Sequence, residues 1–453
     1  MDRKLDEKIT KYLDDNRDNF IADLRKLLSF NSASGKAADG KPFGEEVAKA
    51  LDFMMSLCAD AGLKTTNYDY YCMDATYGTG KESIGVLSHL DIVPAGEGWD
   101  YPPFGGEMVG SLMYGRGVID DKGPAIAGLY ALKALMNAGV ETSKTIKLIL
   151  GCDEETGMSD MKHYMKVAEA PTYAFSPDAD FPVIFAEKNI IHGEFKGEIK
   201  GETCLISLSG GTATNAVPNK ATAKIKYSTQ PADTEKLSYS LDGGVLTIEA
   251  KGIAGHASLP HKDENAISNL MKVLADIVPD GDAAKPLIAE LAKGLSATDG
   301  SGIGIACQDE ATGALTLNHG VINADSAVIV SKFDIRHPVT LDYKELLAKL
   351  KTVLKNFNLT HVFASEGLYA PKDGFLVSTL MGLYREITGD KEIEPVSMGG
   401  GTYARCLPAA VAFGPKFPDG KAGGAHTINE FADVDELLKA ARLYAHCLYS
   451  LAK

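Results

Sequence analysis

Residues 144–157 read KTIKLILGCDEETG, an apolar stretch followed at once by the three carboxylates of Asp153, Glu154 and Glu155. The apolar half is typical of a buried strand, because a short aliphatic run is bounded by turn-forming residues. The carboxylates would then lie just beyond the carboxyl end of the strand, where ligands bind in open α/β sheets. The stretch therefore has two interpretations, a solvated turn or a site for a positively charged ligand.

The segments around this strand alternate between predicted strands and predicted helices. SIGVLS (83–88) and TYAFS (172–176) indicate two more buried strands, and residues 124–139 and 161–168 indicate helices. This alternation predicts a mostly parallel sheet sandwiched by helices, which is an α/β fold. Ahead of the sheet, residues 5–30 have apolar positions at three- and four-residue spacing and predict one amphipathic helix.

The pattern changes for the middle of the chain and then returns. Residues 187–371 read as alternating strands with glycine turns and a few helices, including one at 342–357, which predicts an α+β insert. Residues 372–453 return to the first pattern. We therefore expect one α/β domain made of residues 1–186 and 372–453, interrupted by the insert. Within the insert, GTATNAVPNKATAKIKY (211–227) and GVINADSAVIVSKFDIR (320–336) resemble each other and predict an internal duplication.

Composition excludes several classes of protein. The 453 residues are 45% hydrophobic and 24% charged, as in ordinary globular proteins of more than one domain. The net charge of −15 argues against binding to nucleic acid or to anionic membranes, which select basic surfaces. Seven scattered cysteines without a C-x-x-C pair predict neither a disulfide framework nor a zinc knuckle. The charged start, MDRKLDEKIT, and the lack of long apolar runs predict no membrane span and a cytoplasmic location.

Histidines and carboxylates cluster at the ends of the predicted strands. They are His89, Asp91, Asp120, Asp121, Asp153, Glu154, Glu155, Asp178 and His426. Each alone has an ordinary explanation, such as a helix cap or a solvated surface residue. Together they would repel one another at one edge of a sheet, and divalent cations would relieve that repulsion.

Imidazole and carboxylate ligands without thiolate suit zinc, with manganese or cobalt as alternatives. Two histidines and three carboxylates are too many for one tetrahedral site. They suit two metal ions about 3.5–4 Å apart that share a carboxylate and a water. Two divalent ions would also balance the charge of three carboxylates and one hydroxide.

Six motifs, taken together, resemble those of the co-catalytic metallopeptidase family of aminoacylases, desuccinylases and carnosinases. They are SHLDIVPAGEGW (88–99), GRGVIDDKGP (115–124), DEETG (153–157), SPDADFP (176–182), GGGTYAR (399–405) and GAHTINE (424–430). The resemblance covers nearly the whole chain and is closest to bacterial PepV-type dipeptidases. It implies a zinc-exopeptidase-like catalytic domain, a lid domain at 187–371 and two divalent metal ions.

The resemblance also implies roles for the metal-site residues. Asp120 would bridge the two metals, with His89 and Asp178 completing one site and Glu155 and His426 the other. Glu154 resembles the general base, and Asp91 resembles the acceptor that fixes the tautomer of His89. The Asp120–Asp121 peptide bond would be cis.

Further residues resemble substrate contacts. His256 resembles the lid histidine that stabilises the oxyanion, with His261 as a rival. Asn215, Arg336, Gly400, Gly401 and Thr402 resemble substrate-binding residues, and the Arg336 guanidinium could hold a substrate carboxylate with two hydrogen bonds. Tyr403 stands where many relatives carry an acidic residue, a departure that fits the dipeptidase branch.

The expected function is hydrolysis of unblocked dipeptides by a water that Glu154 activates. An N-acyl amino-acid deacylase or desuccinylase is the alternative within the same chemistry; an ammonium would need an acidic contact such as Asp91 or Asp121. A non-catalytic metal-dependent binding protein is a third reading, and the intact Glu154 speaks against it. Dimeric relatives have lids of roughly half this length, so the resemblance implies a monomer whose lid mimics a dimer, with His256 acting in cis.

Overall fold

A computed structural model describes residues 2–260 and 264–453 of the chain. Its helices are α1 (Arg3–Asp15), α2 (Arg17–Leu28), α3 (Glu45–Asp60), α4 (Lys122–Asn137), α5 (Ser159–Val167), α6 (Ala266–Ile277), α7 (Lys285–Gly294), α8 (Tyr343–Leu350), α9 (Phe375–Thr388) and α10 (Val434–Ala452).

The nine-stranded sheet includes the short strands Leu368–Tyr369 and Val396–Met398, and the longer strands of the two large sheets follow one another along the chain. They are β1 (Lys64–Tyr68), β2 (Cys72–Tyr77), β3 (Ser83–His89), β4 (Thr145–Gly151), β5 (Tyr173–Ser176), β6 (Val183–Glu187), β7 (Asn189–Glu198), β8 (Leu205–Gly210), β9 (Lys220–Lys226), β10 (Leu237–Asp242), β11 (Val245–Lys251), β12 (Thr316–Ala324), β13 (Val328–His337), β14 (Asn358–Ser365) and β15 (Ala410–Phe413).

The chain forms two compact units. Unit 1 consists of Met1–Phe185, Ala370–Val396 and Thr402–Lys453, and unit 2 consists of Ala186–Tyr369 and Ser397–Gly401. The assignment of catalytic and lid roles to them stays a prediction. In the described part of the chain, no helix is both long and apolar enough to cross a membrane.

The sheet of unit 1 has the strand order β1-β2-β4-β3-β5-β15-β6. The four central strands, β4, β3, β5 and β15, are parallel, and the flanking strands pair antiparallel. All residues of β3 are buried, as expected for a strand covered on both faces. Helices α4 and α10 pack against each other and against β3 and β4. The predicted α/β class is confirmed, with the parallel pairing concentrated at the centre of the sheet.

The sheet of unit 2 is antiparallel throughout, with the order β10-β11-β9-β8-β12-β13-β7-β14. Alternate residues of β9 and β11 are buried, and they form one core with the apolar faces of α6 and α7. The two stretches that resemble each other in sequence contribute β9 and β13, with β8 and β12 between them at the centre of the sheet. This symmetric placement is in line with a duplication, which stays a prediction.

Two predicted helices are shorter in the structure than in the sequence analysis. The helix expected at 5–30 is interrupted at Asn16, whose side-chain amide donates to the Tyr12 carbonyl at the end of α1. The helix expected at 342–357 ends at Leu350. Beyond it, the Glu290 carboxylate on α7 accepts the backbone N–H groups of Lys355 and Asn356. Those donors would otherwise bond to carbonyls four residues back, so a tertiary contact replaces the last helical turns.

Candidate metal centre

The parallel strands bring the predicted ligands to one edge of the unit 1 sheet. His89 is the last residue of β3 and lies in register with Gly151, the last residue of β4. The Asp153–Glu155 turn follows β4, and Asp178 follows β5 by two residues. Asp120 precedes α4, and its peptide bond to Asp121 is cis, as the resemblance implied.

The Asp120 carboxylate lies between the two predicted histidine ligands. Its Oδ1 is 3.1 Å from Nε2 of His89, and its Oδ2 is 3.1 Å from Nε2 of His426. Two oxygens facing two imidazoles are the arrangement that a bridging carboxylate requires. His426 adopts a positive φ of 62° in its glycine-containing loop.

The remaining predicted ligands divide between the two histidines. Asp178 Oδ2 lies 3.7 Å from His89 Nε2, and Glu155 Oε1 lies 3.1 Å from His426 Nε2. Two overlapping groups have possible ligand atoms within 4.8 Å of one another: His89 with Glu154 and Asp178, and His89 with Asp120 and Glu155. The predicted ligands are thus close together, and Glu154 lies among them.

Asp91 supports both His89 and the glutamate loop. Its backbone carbonyl accepts from Nδ1 of His89 at 2.9 Å, which leaves Nε2 directed at the carboxylates. Its side chain accepts the N–H of Glu154 at 3.2 Å and the N–H of Glu155 at 3.0 Å. Asp91 therefore orients one predicted ligand through its main chain and the neighbouring turn through its side chain.

The three carboxylates after β4 have different surroundings, so they form neither a simple solvated turn nor a single ligand site. Asp153 is buried and structural, because Oδ2 accepts the backbone N–H of Ser159 at 3.0 Å and its hydroxyl at 2.5 Å at the start of α5. Glu155 contacts His426. Glu154 is partly buried and lies with His89 and Asp178.

Sequence reasoning assigned no role to Glu430, Arg116 or Asp160, although each supports the loops of this site. Glu430, four residues after His426, accepts the N–H groups of Gly117 and Ile119 at 3.0 Å and of Asp120 at 3.3 Å. The signal available was the position of Glu430 inside the GAHTINE motif. Nothing in the spacing shows where its carboxylate points.

Burial and mutual repulsion dominate the electrostatics of the carboxylates. Burial, together with the neighbouring Asp178 and Glu155, raises the pKa of Glu154 well above its usual range. Burial and the charge of Asp120 likewise raise the pKa values of Asp178 and Glu155. A cluster that resists ionisation in this way would be stabilised by added positive charge.

The histidines respond in the opposite direction. In the metal-free chain, hydrogen bonds to Asp120 and Glu155 raise the pKa of His426 to about 11. Burial alone would lower the pKa of His89 and raise that of Asp120. The hydrogen bond between these two residues outweighs burial, so the pKa of His89 is raised and that of Asp120 is lowered. In the metal-free chain, the positive charge that balances these carboxylates is carried by the two imidazoles. Bound metal ions would supply that charge instead.

The donor set fits divalent metal ions. It consists of imidazole and carboxylate groups that converge on one volume, the ligand chemistry of zinc, manganese and cobalt sites. Among the residues present, His89, Asp120 and Asp178 could hold one ion, and Asp120, Glu155 and His426 could hold another.

Neither acidic residue considered for a substrate ammonium is placed to contact one. Asp91 and Asp121 are both fully buried. Asp91 is bonded to the glutamate loop, and Asp121 Oδ2 accepts the N–H of His89 at 3.1 Å. An acidic contact to a substrate ammonium stays a prediction, and in this structure both side chains bond to backbone N–H groups of the site.

Most of the predicted substrate contacts lie in unit 2, where Asn215 neighbours His256 and Arg336 neighbours the glycine loop. His256 is exposed, its Nδ1 is 2.6 Å from Ser258 Oγ, and it pairs with Ala216, next to the exposed Asn215. Arg336 is buried and donates from Nη1 to the carbonyl of Gly399, directly before Gly400 and Gly401. Thr402, in unit 1, is buried and caps the short helix Tyr403–Cys406. The rival His261 lies outside the described residues.

Arg336 is held in place by a second buried residue. Its Nε and Nη2 donate to the two carboxylate oxygens of Asp334 at 2.7 and 2.9 Å. Asp334 Oδ2 also contacts Nε2 of His192 at 2.7 Å. The guanidinium therefore has one edge bonded to Asp334, and its Nη1 lies toward the glycine loop.

Comparison with known proteins gives a consistent picture. The family model described as "Peptidase family M20/M25/M40" matches residues 85–450. "Putative dipeptidase YtjP" of Bacillus subtilis (strain 168) is 35% identical over 460 residues, covering 96% of this chain and 98% of the relative. "Putative dipeptidase SAR1836" of Staphylococcus aureus (strain MRSA252) is 31% identical over 469 residues, covering 98% of each.

Solved structures support the fold. Human carnosine dipeptidase 1 aligns with a TM-score of 0.60 and 14% identity over 99% of both chains. A tripeptidase from Staphylococcus aureus subsp. aureus mu50 aligns with a TM-score of 0.59 and 14% identity over 96% of this chain and 99% of that one. At these identities the likeness concerns the fold alone.

Proposed function

The chain belongs to peptidase family M20/M25/M40 and is a peptide hydrolase, and from that premise we propose that it is a dinuclear dipeptidase acting on unblocked dipeptides. The observation that carries the proposal is the Asp120 carboxylate, whose two oxygens each lie 3.1 Å from a different histidine. A single-metal site would need only one of those contacts. The proposed metals are two zinc ions, with manganese or cobalt as alternatives.

When bound, the metal ions would polarise the scissile carbonyl and lower the pKa of the attacking water. Glu154 takes the proton from that water and passes it to the departing amine. A base for this task works best when its pKa lies near the working pH. In the metal-free chain, burial and the neighbouring carboxylates raise the pKa of Glu154, and bound metal ions would lower it toward the range in which the carboxylate is ionised and accepts a proton.

We assign the substrate contacts to unit 2 and the glycine loop. His256 would stabilise the oxyanion, and Arg336 would bind the substrate carboxylate. Asn215, Gly400, Gly401 and Thr402 would line the remainder of the site. Within unit 2, Asn215 neighbours His256, Arg336 bonds Gly399, and Gly399 lies against Ser258, two residues after His256, which supports a shared task.

A substrate panel tests the reaction. The purified chain, loaded with zinc, manganese or cobalt, is assayed with unblocked dipeptides and with N-acetyl and N-succinyl amino acids. We expect release of free amino acids from dipeptides and little reaction with the acylated compounds. Turnover of the acylated compounds alone would show a deacylase instead.

Two adjacent glutamates provide a matched test of mechanism. Glu154→Gln should keep two metal ions per chain and lose about 10²- to 10⁴-fold in kcat, the range for a general base. Glu155→Gln should lose metal, because it removes a ligand. Parent-level turnover in Glu154→Gln would refute the assignment of the base.

We further propose that the protein is a cytoplasmic monomer with His256 acting in cis. No disulfide joins the seven cysteines, as in proteins of reducing compartments. Light scattering should give the mass of one 48.2 kDa chain. Recovery of activity on mixing His256→Ala with Glu154→Gln chains would instead show an active site shared between subunits.

A further inference from the structure

We propose that Tyr403 and Asp160 form a positioning pair that fixes the loop carrying Glu154 and Glu155. This inference rests on the proposed function, because it concerns the geometry of the proposed base. Both residues belong to unit 1 and both are buried. Neither is among the candidate metal ligands.

Asp160 binds the first half of the glutamate loop. Its Oδ2 accepts the backbone N–H groups of Cys152 at 2.6 Å and Asp153 at 2.8 Å, and the hydroxyl of Tyr403 donates to the same oxygen. Its Oδ1 accepts the N–H of Met161 at 2.6 Å. One carboxylate thus collects donors from the loop, from α5 and from Tyr403.

Asp91 binds the second half of the same loop through the N–H groups of Glu154 and Glu155. Four consecutive N–H groups, at residues 152–155, are therefore held by two buried carboxylates rather than by a neighbouring strand. A loop held this way keeps its conformation only while both acceptors stay in place. Tyr403 determines the place of one of them.

Tyr403 also contacts the histidine side of the site. Its ring meets the His89 ring edge-on, with centroids 6.1 Å apart and an interplanar angle of 87°. The glycine at position 151 permits this approach, because a Cβ there would overlap the Tyr403 hydroxyl and the Asp160 carboxylate. One side chain therefore touches both the support of the base loop and a metal ligand.

The residue type at 403 matches its partner. A tyrosine hydroxyl donates a hydrogen bond to Asp160, whereas an acidic residue at 403 would set a second carboxylate against a buried one. The sequence departure at this position and the buried Asp160 are thus complementary.

The test is Tyr403→Phe, which keeps the ring and removes only the hydroxyl. We expect kcat for a dipeptide to fall about tenfold with KM changed less than twofold, because the loop geometry affects the reacting groups more than binding. Metal content should remain at the parent level. Amide hydrogen exchange at residues 152–155 should become faster.

Asp160→Asn supplies the second variant. Its amide still offers one acceptor oxygen but places an N–H₂ group against the loop donors, so we expect a larger loss in kcat. In the double variant, Tyr403→Phe should add little, because the two residues act as one unit.

Tyr130→Phe is the matched control. Tyr130 is also buried in unit 1, and its hydroxyl donates to Asp23 Oδ2 at 2.6 Å. Loss of the Tyr130 hydroxyl should lower the free energy of unfolding about as much as loss of the Tyr403 hydroxyl does. It should leave kcat within twofold of the parent value.

The inference would be overturned if kcat and the amide exchange rates at residues 152–155 in Tyr403→Phe equalled those of the parent. Equal losses of kcat in Tyr403→Phe and Tyr130→Phe would also overturn it. If the parent hydrolyses no dipeptide, the proposed function fails. The exchange rates then still decide whether Tyr403 fixes the loop.

Discussion

The guanidinium of Arg116 and the carboxylate of Glu430 form a fully buried ion pair, with Nη1 and Oε2 2.6 Å apart. The same carboxylate accepts three backbone N–H groups of the loop that ends in Asp120. Arg116 Nη2 donates to the carbonyl of Thr427, directly after His426. This pair therefore joins the loop of the proposed bridging carboxylate to the loop of His426, a proposed ligand.

Glu430→Gln should destabilise unit 1 by about 3 kcal/mol, because it leaves a buried guanidinium without its counter-ion. It should also weaken metal binding, since the Gln amide keeps only one acceptor oxygen and sets an N–H₂ group against Arg116 or the N–H groups of the Asp120 loop. The guanidinium of Arg116 lies over the ring of Trp99, the only tryptophan of the chain, at 5.3 Å, so the fluorescence of Trp99 during urea unfolding reports on this region.

Arg385 and Glu394 provide the control, because their ion pair has the same 2.6 Å separation on the surface, with Glu394 73% exposed. Glu394→Gln should cost less than about 1 kcal/mol. Similar losses in both variants would show that burial does not set the value of the Arg116–Glu430 pair.

The order of elements and the location of the site were predictable from the sequence. Short aliphatic runs such as SIGVLS fixed the strands, and parallel strands place their carboxyl ends at one edge, so His89 and the Asp153–Glu155 turn had to be neighbours. The antiparallel flanking strands were not predicted. Strands β1 and β2 are short and only partly apolar, and their pairing depends on partners distant in the sequence.

The supports of the site were less predictable than its ligands. Candidate metal ligands can be recognised in the sequence by residue type, because few kinds of side chain bind metals. Glu430 and Asp160 are acidic residues like many others, and only the fold shows that their carboxylates collect backbone N–H groups of the ligand loops. For the same reason, the sequence offered Asp91 and Asp121 as examples of an acidic contact, and only the fold shows that both are buried.

Metal binding should release protons near neutral pH. In the metal-free chain, Asp120 and Glu155 raise the pKa of His426 to about 11, so its imidazole is charged at pH 7, whereas a metal ligand must be neutral. Metal affinity should therefore rise as pH increases from 6 to 8. Calorimetric titration with zinc in two buffers of different ionisation enthalpy measures the released protons, and heats independent of buffer would contradict this prediction.

Unit 2 should lose stability in mild acid through His319. Burial lowers the pKa of His319 to about 3, and its Nε2 is 2.7 Å from Ser331 Oγ. The unfolded chain, with a pKa near 6.5, binds the proton more readily, so the stabilisation is present above that pH and declines below it. The decline should amount to about 2 kcal/mol between pH 7 and pH 5.

His319→Gln removes this titration. Urea unfolding of the parent and the variant is followed by circular dichroism at pH 7 and pH 5. The difference between their unfolding free energies isolates the contribution of His319, because the contributions of all other titrating groups cancel. A difference in unfolding free energy that stays constant between the two pH values would refute the assignment.

Arg336→Lys should separate binding from catalysis. The Arg336 guanidinium bonds Asp334 through Nε and Nη2 and the Gly399 carbonyl through Nη1, so its plane is fixed before substrate binds. Lysine keeps the charge but cannot form the two-pronged contact with Asp334 or, as proposed, with a substrate carboxylate. We expect KM for dipeptides to rise about tenfold with kcat changed less than threefold, because the carboxylate is bound equally in the ground and transition states.

Arg385→Lys, on the surface of unit 1, is the matched control and should leave both constants unchanged. An unchanged KM in Arg336→Lys, measured together with a normal folded content by circular dichroism, would show that the substrate carboxylate is held by another group.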